Sequence, residues 1–181
     1  MKKLILRTIL LTGIIGCLVS CNSRKNEEVI IENKFKINIP IYMSETSSLN
    51  ENAILQYQSQ FRNIYVMVIE DTKDGFHNSL VENEINDQYT NDLEGFAELM
   101  FSYGGFWNVN NEDEIEVTMI NGLNAKVIET TNRIEGIDIF YKAALVEGKS
   151  SYYQVIAWTS SNKESKNKDD IRKIIDSFTE L

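Results

Sequence analysis

Hydrophobic and polar positions alternate with two different periods along this chain, and the switches between them mark the elements. Lys34 to Pro40 reads KFKINIP, with Phe35, Ile37 and Ile39 set against Lys36 and Asn38. That is a half-buried strand ended by the chain's one proline. In AILQYQSQF, Leu55, Tyr57, Ser59 and Phe61 face one way, and Gln56, Gln58 and Gln60 the other. Ile64 to Ile69 (IYVMVI) is apolar on both faces, which predicts a central strand covered on each side.

The period then changes to that of a helix. Leu80, Val81, Ile85 and Tyr89 recur at helical spacing from Phe76 onward, and Leu93, Phe96, Ala97 and Met100 do so after Thr90-Asn91-Asp92. Two helices are predicted, the second with Asn91 and Glu94 at capping-box spacing and Gly104-Gly105 as its stop. Alternation returns in EIEVTMI, AKVIETTNR, IDIFYKAALV and YYQVIAWTS, separated by Asn121-Gly122, Glu135-Gly136 and Glu147-Gly148. Turn pairs of this kind predict an antiparallel meander. A final helix is expected over NKDDIRKIIDSFTEL, with Asn167 as N-cap and Ile171, Ile174, Ile175, Phe178 and Leu181 on one stripe.

The N-terminal segment, MKKLILRTILLTGIIGCLVSCNSRKNEE, has a different character. Only about a dozen mostly apolar residues lie between Arg7 and Cys21, against roughly 20 needed to cross a bilayer. Lys2, Lys3 and Arg7 followed by an apolar run and small residues form the layout of a secretory signal, to be removed before folding. Leu18-Val19-Ser20-Cys21 resembles the lipobox of bacterial lipoproteins, in which the cysteine is acylated. Ile14-Ile15-Gly16-Cys17 fits the same pattern and makes Cys17 a rival; Cys21 is preferred because only polar residues follow it. One fatty chain binds a membrane marginally, at ~0.8 kcal/mol per buried CH₂, whereas two or three hold a domain stably. The expected organisation is therefore a signal peptide over 1–20, a polar tether over 21–33 and a single domain over 34–181. Membrane lipid would be contacted through acylated Cys21, at the cell envelope and in the outer membrane of a Gram-negative bacterium. Glu27-Glu28 reads either as a solvated part of the tether or as an acidic surface-export signal.

Composition limits the chemistry. Hydrophobic residues make up 43% and aromatic residues 10% of the chain, enough for one core. The charge is -9, and without Lys2, Lys3 and Arg7 the balance is 15 basic against 27 acidic residues. Such a surface repels phosphate backbones, so nucleic acid is not an expected partner. Both cysteines lie in the N-terminal segment, which leaves the domain without a disulfide. There is one histidine, His77. A Cys-His or zinc-ligand cluster is thus excluded from the domain, and neither a G-x-S-x-G elbow nor a phosphate-binding glycine motif occurs. No enzyme activity and no cofactor are expected.

The order of elements resembles the PsbP-like fold. The residues carrying the resemblance are FKINIP, the Asn121 to Ala125 turn N-G-L-N-A, an aromatic strand ending in T-S-S, and a last helix reading I-R-K-I-I-D-S-F. That family includes the extrinsic PsbP subunit of photosystem II, bacterial lipoproteins and a Ran-binding nuclear import factor. The resemblance implies an α+β fold, with an antiparallel sheet of about six or seven strands sandwiched between helices. It also implies a non-catalytic binding or assembly-accessory role with a protein partner, the alternatives being a small-ligand carrier or sensor and a hydrolase. No family site residue transfers to this chain. Two local groupings are weighed on chemistry alone. Glu112, Asp113 and Glu114 are hard oxygen ligands in an acidic loop and weak calcium candidates, with a solvated loop the simpler reading. Tyr103, Phe106, Trp107 and Trp158 are candidates for a partner or ligand surface, with ordinary core the simpler reading.

Overall fold

The computed structural model describes residues 25–103, 105–107 and 115–181. Cys17, Cys21, Glu112, Asp113 and Glu114 lie outside the described residues. Among the described residues ten strands and three α-helices run in the order β1 (Asn26–Ile31), β2 (Phe35–Pro40), β3 (Ser44–Glu45), β4 (Ala53–Ser59), β5 (Ile64–Thr72), α1 (Lys73–Glu82), α2 (Leu93–Tyr103), β6 (Ile115–Ile120), β7 (Leu123–Ile134), β8 (Ile137–Glu147), β9 (Ser151–Ser160), α3 (Glu164–Asp176) and β10 (Thr179–Glu180). Short 3-10 turns at Gly105–Trp107 and Ser161–Lys163 follow α2 and precede α3.

A seven-stranded antiparallel sheet of order β3-β4-β5-β9-β8-β7-β6 forms the middle layer. Its continuous apolar strands have a core on each side. One face meets β2 and α3 through Phe35, Ile37, Ile39, Ile171, Ile174, Ile175 and Phe178. The other meets α1, α2 and the Gly105–Trp107 turn through Phe76, Leu80, Phe96, Leu99 and Trp107. Residues of β8 and β9 alternate between the two clusters, so Tyr153, Val155 and Ala157 serve one and Tyr152 and Ile156 the other. This is the expected α+β sandwich. Asn121 (φ 48) and Gly122 (φ 88), like Glu135 (φ 50) and Gly136 (φ 83), take the left-handed conformation at both central positions. Two-residue hairpins require that geometry because it matches the strand twist.

Several sequence expectations need correction. The segment read as a polar tether carries a strand, since β1 pairs with β2 from Asn26↔Pro40 to Ile31↔Phe35. Val29 and Ile31 pack against the core while the charged side chains stay outside, and this short alternation is hidden by its glutamates. The cap of α2 is Asp92 rather than Asn91, its carboxylate accepting from the Gly95 amide at 2.9 Å. Helix α3 starts three residues before the expected Asn167 cap, and Asn167 is buried inside it. Leu181 is not on that helix, because the chain turns after Asp176 to pair Thr179↔Lys36 and Glu180↔Phe35. Phe61, expected to share a strand face with Leu55 and Tyr57, lies past the end of β4 and is 98% exposed.

Candidate functional site

The apolar run of β5 ends in two carboxylates, Glu70 and Asp71, which the strand's alternation sends to opposite faces. Glu70 accepts from Lys34 Nζ at 2.7 Å and from Ser151 Oγ at 2.8 Å. Asp71 lies on the α1 and α2 side. Its Oδ2 accepts from Gln154 Nε2 at 3.0 Å, and Gln154 Oε1 in turn accepts from Trp107 Nε1 at 3.1 Å. Gln154 and Trp107 are both buried. A buried amide with both ends engaged cannot rotate without breaking a bond, so the chain fixes the direction of the carboxylate. Burial raises the Asp71 carboxyl above the ordinary carboxylate range; the Gln154 hydrogen bond opposes the shift and the Glu70 charge adds to it.

Asp71 opens on a cleft of about 470 Å³ bounded by Thr72, Gly75, Phe76 and Ser79 on one side and Phe96, Leu99, Met100 and Tyr103 on the other. The helices are set by their caps. Thr72 Oγ1 accepts from the Gly75 amide at 3.0 Å, and a Cβ at Gly75 would come within 2.7 Å of that oxygen. At Gly95 a Cβ would fall 1.9 Å from the Thr90 carbonyl oxygen, so only glycine lets α2 begin this close to the preceding loop. Thr90 Oγ1 also donates to Asp92 at 2.6 Å, and that bond together with the Gly95 amide holds the Asp92 carboxyl below its ordinary range.

Under the cleft three aromatic rings interlock. Phe96 stacks on Tyr152 at 4.6 Å, and Phe76 meets Phe96 edge-on at 5.2 Å and Tyr152 at 5.7 Å. Burial, with Glu147 and Asp92 nearby, pushes the Tyr152 hydroxyl up to about 12. Lys73 Nζ pairs with Glu147 at 3.0 Å and lies 5.3 Å from the Tyr152 ring centroid. The base is therefore rigid, and the variable parts of the cleft are its rim side chains.

The four aromatics singled out from the sequence separate in space. Trp107 belongs to the core and to the Asp71 chain of hydrogen bonds. Tyr103 is 72% exposed and stands on the cleft rim. Phe106 and Trp158 pack on each other at 5.1 Å, flanked by Tyr141 and by Tyr65, which stacks on Trp158 at 5.3 Å. His77 is on the exposed side of α1 and does not line the cleft. Among the described residues no group of three or more His, Cys, Asp or Glu side chains could hold a metal ion. Asp71 and Gln154 were missed from sequence; their signal is a polar residue inside or directly ending an apolar strand.

No protein-family model and no curated protein sequence matches the chain. Solved structures do. A cyanobacterial PsbP, CyanoP from Synechocystis, superposes with a TM-score of 0.53 at 12% identity over 92% of this chain and 100% of that one. A crystal structure from Bacteroides thetaiotaomicron gives 0.52 at 10% identity, covering 87% of this chain. The match spans 49% of the Bacteroides chain, about half its length. LpqN of Mycobacterium tuberculosis, described as involved in cell envelope biogenesis, gives 0.40 at 10% identity over 88% of this chain and 87% of its own, too distant to add to the argument. The match to CyanoP shows that the chain has the fold of a PsbP protein.

Proposed function

We propose that this chain is a lipid-anchored accessory module of the cell envelope, acting by binding a protein partner and not by catalysis. Cys21 is the acylated residue in this reading and the outer membrane of a Gram-negative bacterium the location. The observation that carries the binding role is the cleft between α1 and α2. It combines apolar walls (Phe76, Phe96, Leu99, Met100), an exposed tyrosine on its rim and one carboxylate held in direction by Gln154. Such a site suits a peptide segment that inserts an apolar side chain and sets a lysine or arginine beside Asp71. A fold shared with a PsbP protein agrees with an accessory role.

The test is capture from native membranes in mild detergent, with wild type, Tyr103→Ala and Asp71→Asn compared by mass spectrometry. A stoichiometric protein retained by wild type and depleted by both variants is the expected result; a partner indifferent to both removes the cleft from the proposal. A second reading, a small-ligand carrier, is favoured by the cleft's volume, which lies within the roughly 300 to 1,000 Å³ of small-molecule sites. Native mass spectrometry of the purified chain distinguishes it by a bound mass that Asp71→Asn loses.

A further inference from the structure

The end of the domain where the chain enters is built differently from the rest of its acidic surface. The carbonyl of Lys25 accepts from the Ile41 amide at 3.1 Å, so the chain enters next to Ile41 and Tyr42. Over the Tyr42 ring, at 3.8 Å, lies the guanidinium of Arg62. Arg62 sits at the tip of the β4–β5 hairpin beside Phe61, the most exposed large apolar side chain of the described residues, and Ile41 is also exposed. Phe61, Arg62, Lys163, Lys166 and Asn167 surround a recess of about 400 Å³. Among the described residues none of Lys25, Arg62, Lys163 and Lys166 forms an ion pair; Lys149 and Lys173 are also unpaired, whereas Lys34, Lys36, Lys73, Lys126, Arg133, Lys142, Lys168 and Arg172 are all paired. Of the acids on the same helix, Asp170 accepts from the Tyr42 hydroxyl at 2.6 Å, Glu164 pairs with Lys168 at 2.9 Å, and Asp169 follows Lys166 by three residues.

The hairpin tip is also rigid. Asn167 Nδ2 donates to the Arg62 carbonyl at 3.0 Å, and the Ser160 amide donates to Asn63 Oδ1 at 2.8 Å. A phenylalanine held outward by bonds to its neighbours gains nothing within the fold from that exposure. Exposed apolar side chains framed by unpaired cations are what an anionic lipid surface binds, the rings entering the headgroup boundary and the cations meeting phosphate.

We propose that this end, formed by Ile41, Phe61, Arg62, Lys163 and Lys166, lies on an anionic phospholipid bilayer and fixes the orientation of the domain. The proposal rests on the reading that Cys21 is the anchor. Lys25 follows Cys21 by four residues, which span at most about 14 Å at full extension. An acylated Cys21 therefore holds the Lys25 end against the headgroups and turns the β6 edge, with Val117 77% exposed, away from that end.

The test uses the full chain purified from a bacterial host and reconstituted with vesicles of phosphatidylcholine alone or with one fifth phosphatidylglycerol. Benzoyl-phenylalanine is placed at position 61 or, as the comparison, at 117. Position 61 is expected to crosslink to lipid in the anionic vesicles several-fold more than 117, and Lys163→Gln with Lys166→Gln, both surface changes, to reduce that yield. Adding Arg62→Gln extends the series, each neutralised cation weakening the contact about fivefold. High salt should act in the same direction. Flotation with neutral vesicles reads the anchor separately. A chain that floats there but crosslinks equally at 61 and 117 overturns the proposal and leaves the anchor standing. Crosslinking of 61 to protein instead of lipid also overturns it. If neutral vesicles do not retain the chain, the anchor reading fails; flotation with anionic vesicles that the lysine variants lose still supports the basic end, and flotation with neither overturns both.

Discussion

Trp107 and Gln154 lie 47 residues apart in sequence and are joined by one buried hydrogen bond, Nε1–H to Oε1 at 3.1 Å. The bond ties the turn after α2 to the middle of β9, and through Gln154 it aims Asp71. Trp107→Phe keeps most of the apolar volume but leaves the amide oxygen without a donor. An unsatisfied buried acceptor costs about 1 to 3 kcal/mol. Denaturant melts should show that loss, and partner capture should fall with it because Asp71 is freed to turn.

Asp71→Asn should have the opposite effect on stability. The folded state raises this carboxyl above its ordinary range. The folded chain thus holds the proton more tightly than the unfolded chain does, so the stability linked to it is present at low pH and lost as pH rises through the raised value. An asparagine keeps an oxygen for Gln154 and carries no charge. The variant should melt above wild type at neutral pH, with the gap closing toward pH ~3. An equal gap at both pH values would show that the charge is not its source.

Removing β1 should expose the weakness of starting the domain at Lys34. Residues 34–181 lose the pairing with β2 and the cover of Val29 and Ile31. Two half-buried aliphatic side chains account for about 2 kcal/mol or more. The shortened chain should melt lower than one beginning at Lys25, and its bare β2 edge should promote association, measurable by light scattering.

Asn167→Ala removes both donors that join α3 to the hairpin and to β9, at 3.0 Å to the Arg62 carbonyl and 2.8 Å to Thr159 Oγ1. A loss of about 1 to 3 kcal/mol is expected. Hydrogen exchange should quicken first at residues 60–63, before the core of the sheet.

Cys21→Ala tests the anchor chemically. The variant should incorporate no lipid label and should leave the membrane fraction on washing, whereas Cys17→Ala should do neither. Label retained by Cys21→Ala and lost by Cys17→Ala would move the modified residue.

Long periodic segments were legible because burial on one face or two leaves a pattern of fixed period. The central strand Ile64 to Ile69, the meander and the stripe from Ile171 to Phe178 all follow from that. What could not be read depends on distant partners. The strand Asn26–Ile31 exists because β2 lies beside it, Asn167 is buried because Arg62 and Thr159 offer it acceptors, and Phe61 is exposed because β4 ends before it. The cleft was hidden for the same reason: Asp71, Gln154 and Trp107 meet only when three elements have packed. Cap identity failed at closer range, since Asn91 and Asp92 are both good capping residues and only geometry selects the second.

The three-stranded sheet sets residues far apart in sequence side by side, with Phe35 opposite Glu180 and the Leu181 amide donating to the Lys34 carbonyl. A polypeptide made N-terminus first reaches β2 early, yet Phe35 has neither Phe178 nor β10 to pack on until residues 178–180 have been made. The face covered by α3 must therefore close last, by a contact of very high sequence separation. During synthesis the α3 face is kept open by the topology of the fold, and it closes only once residues 178–180 are available to β2.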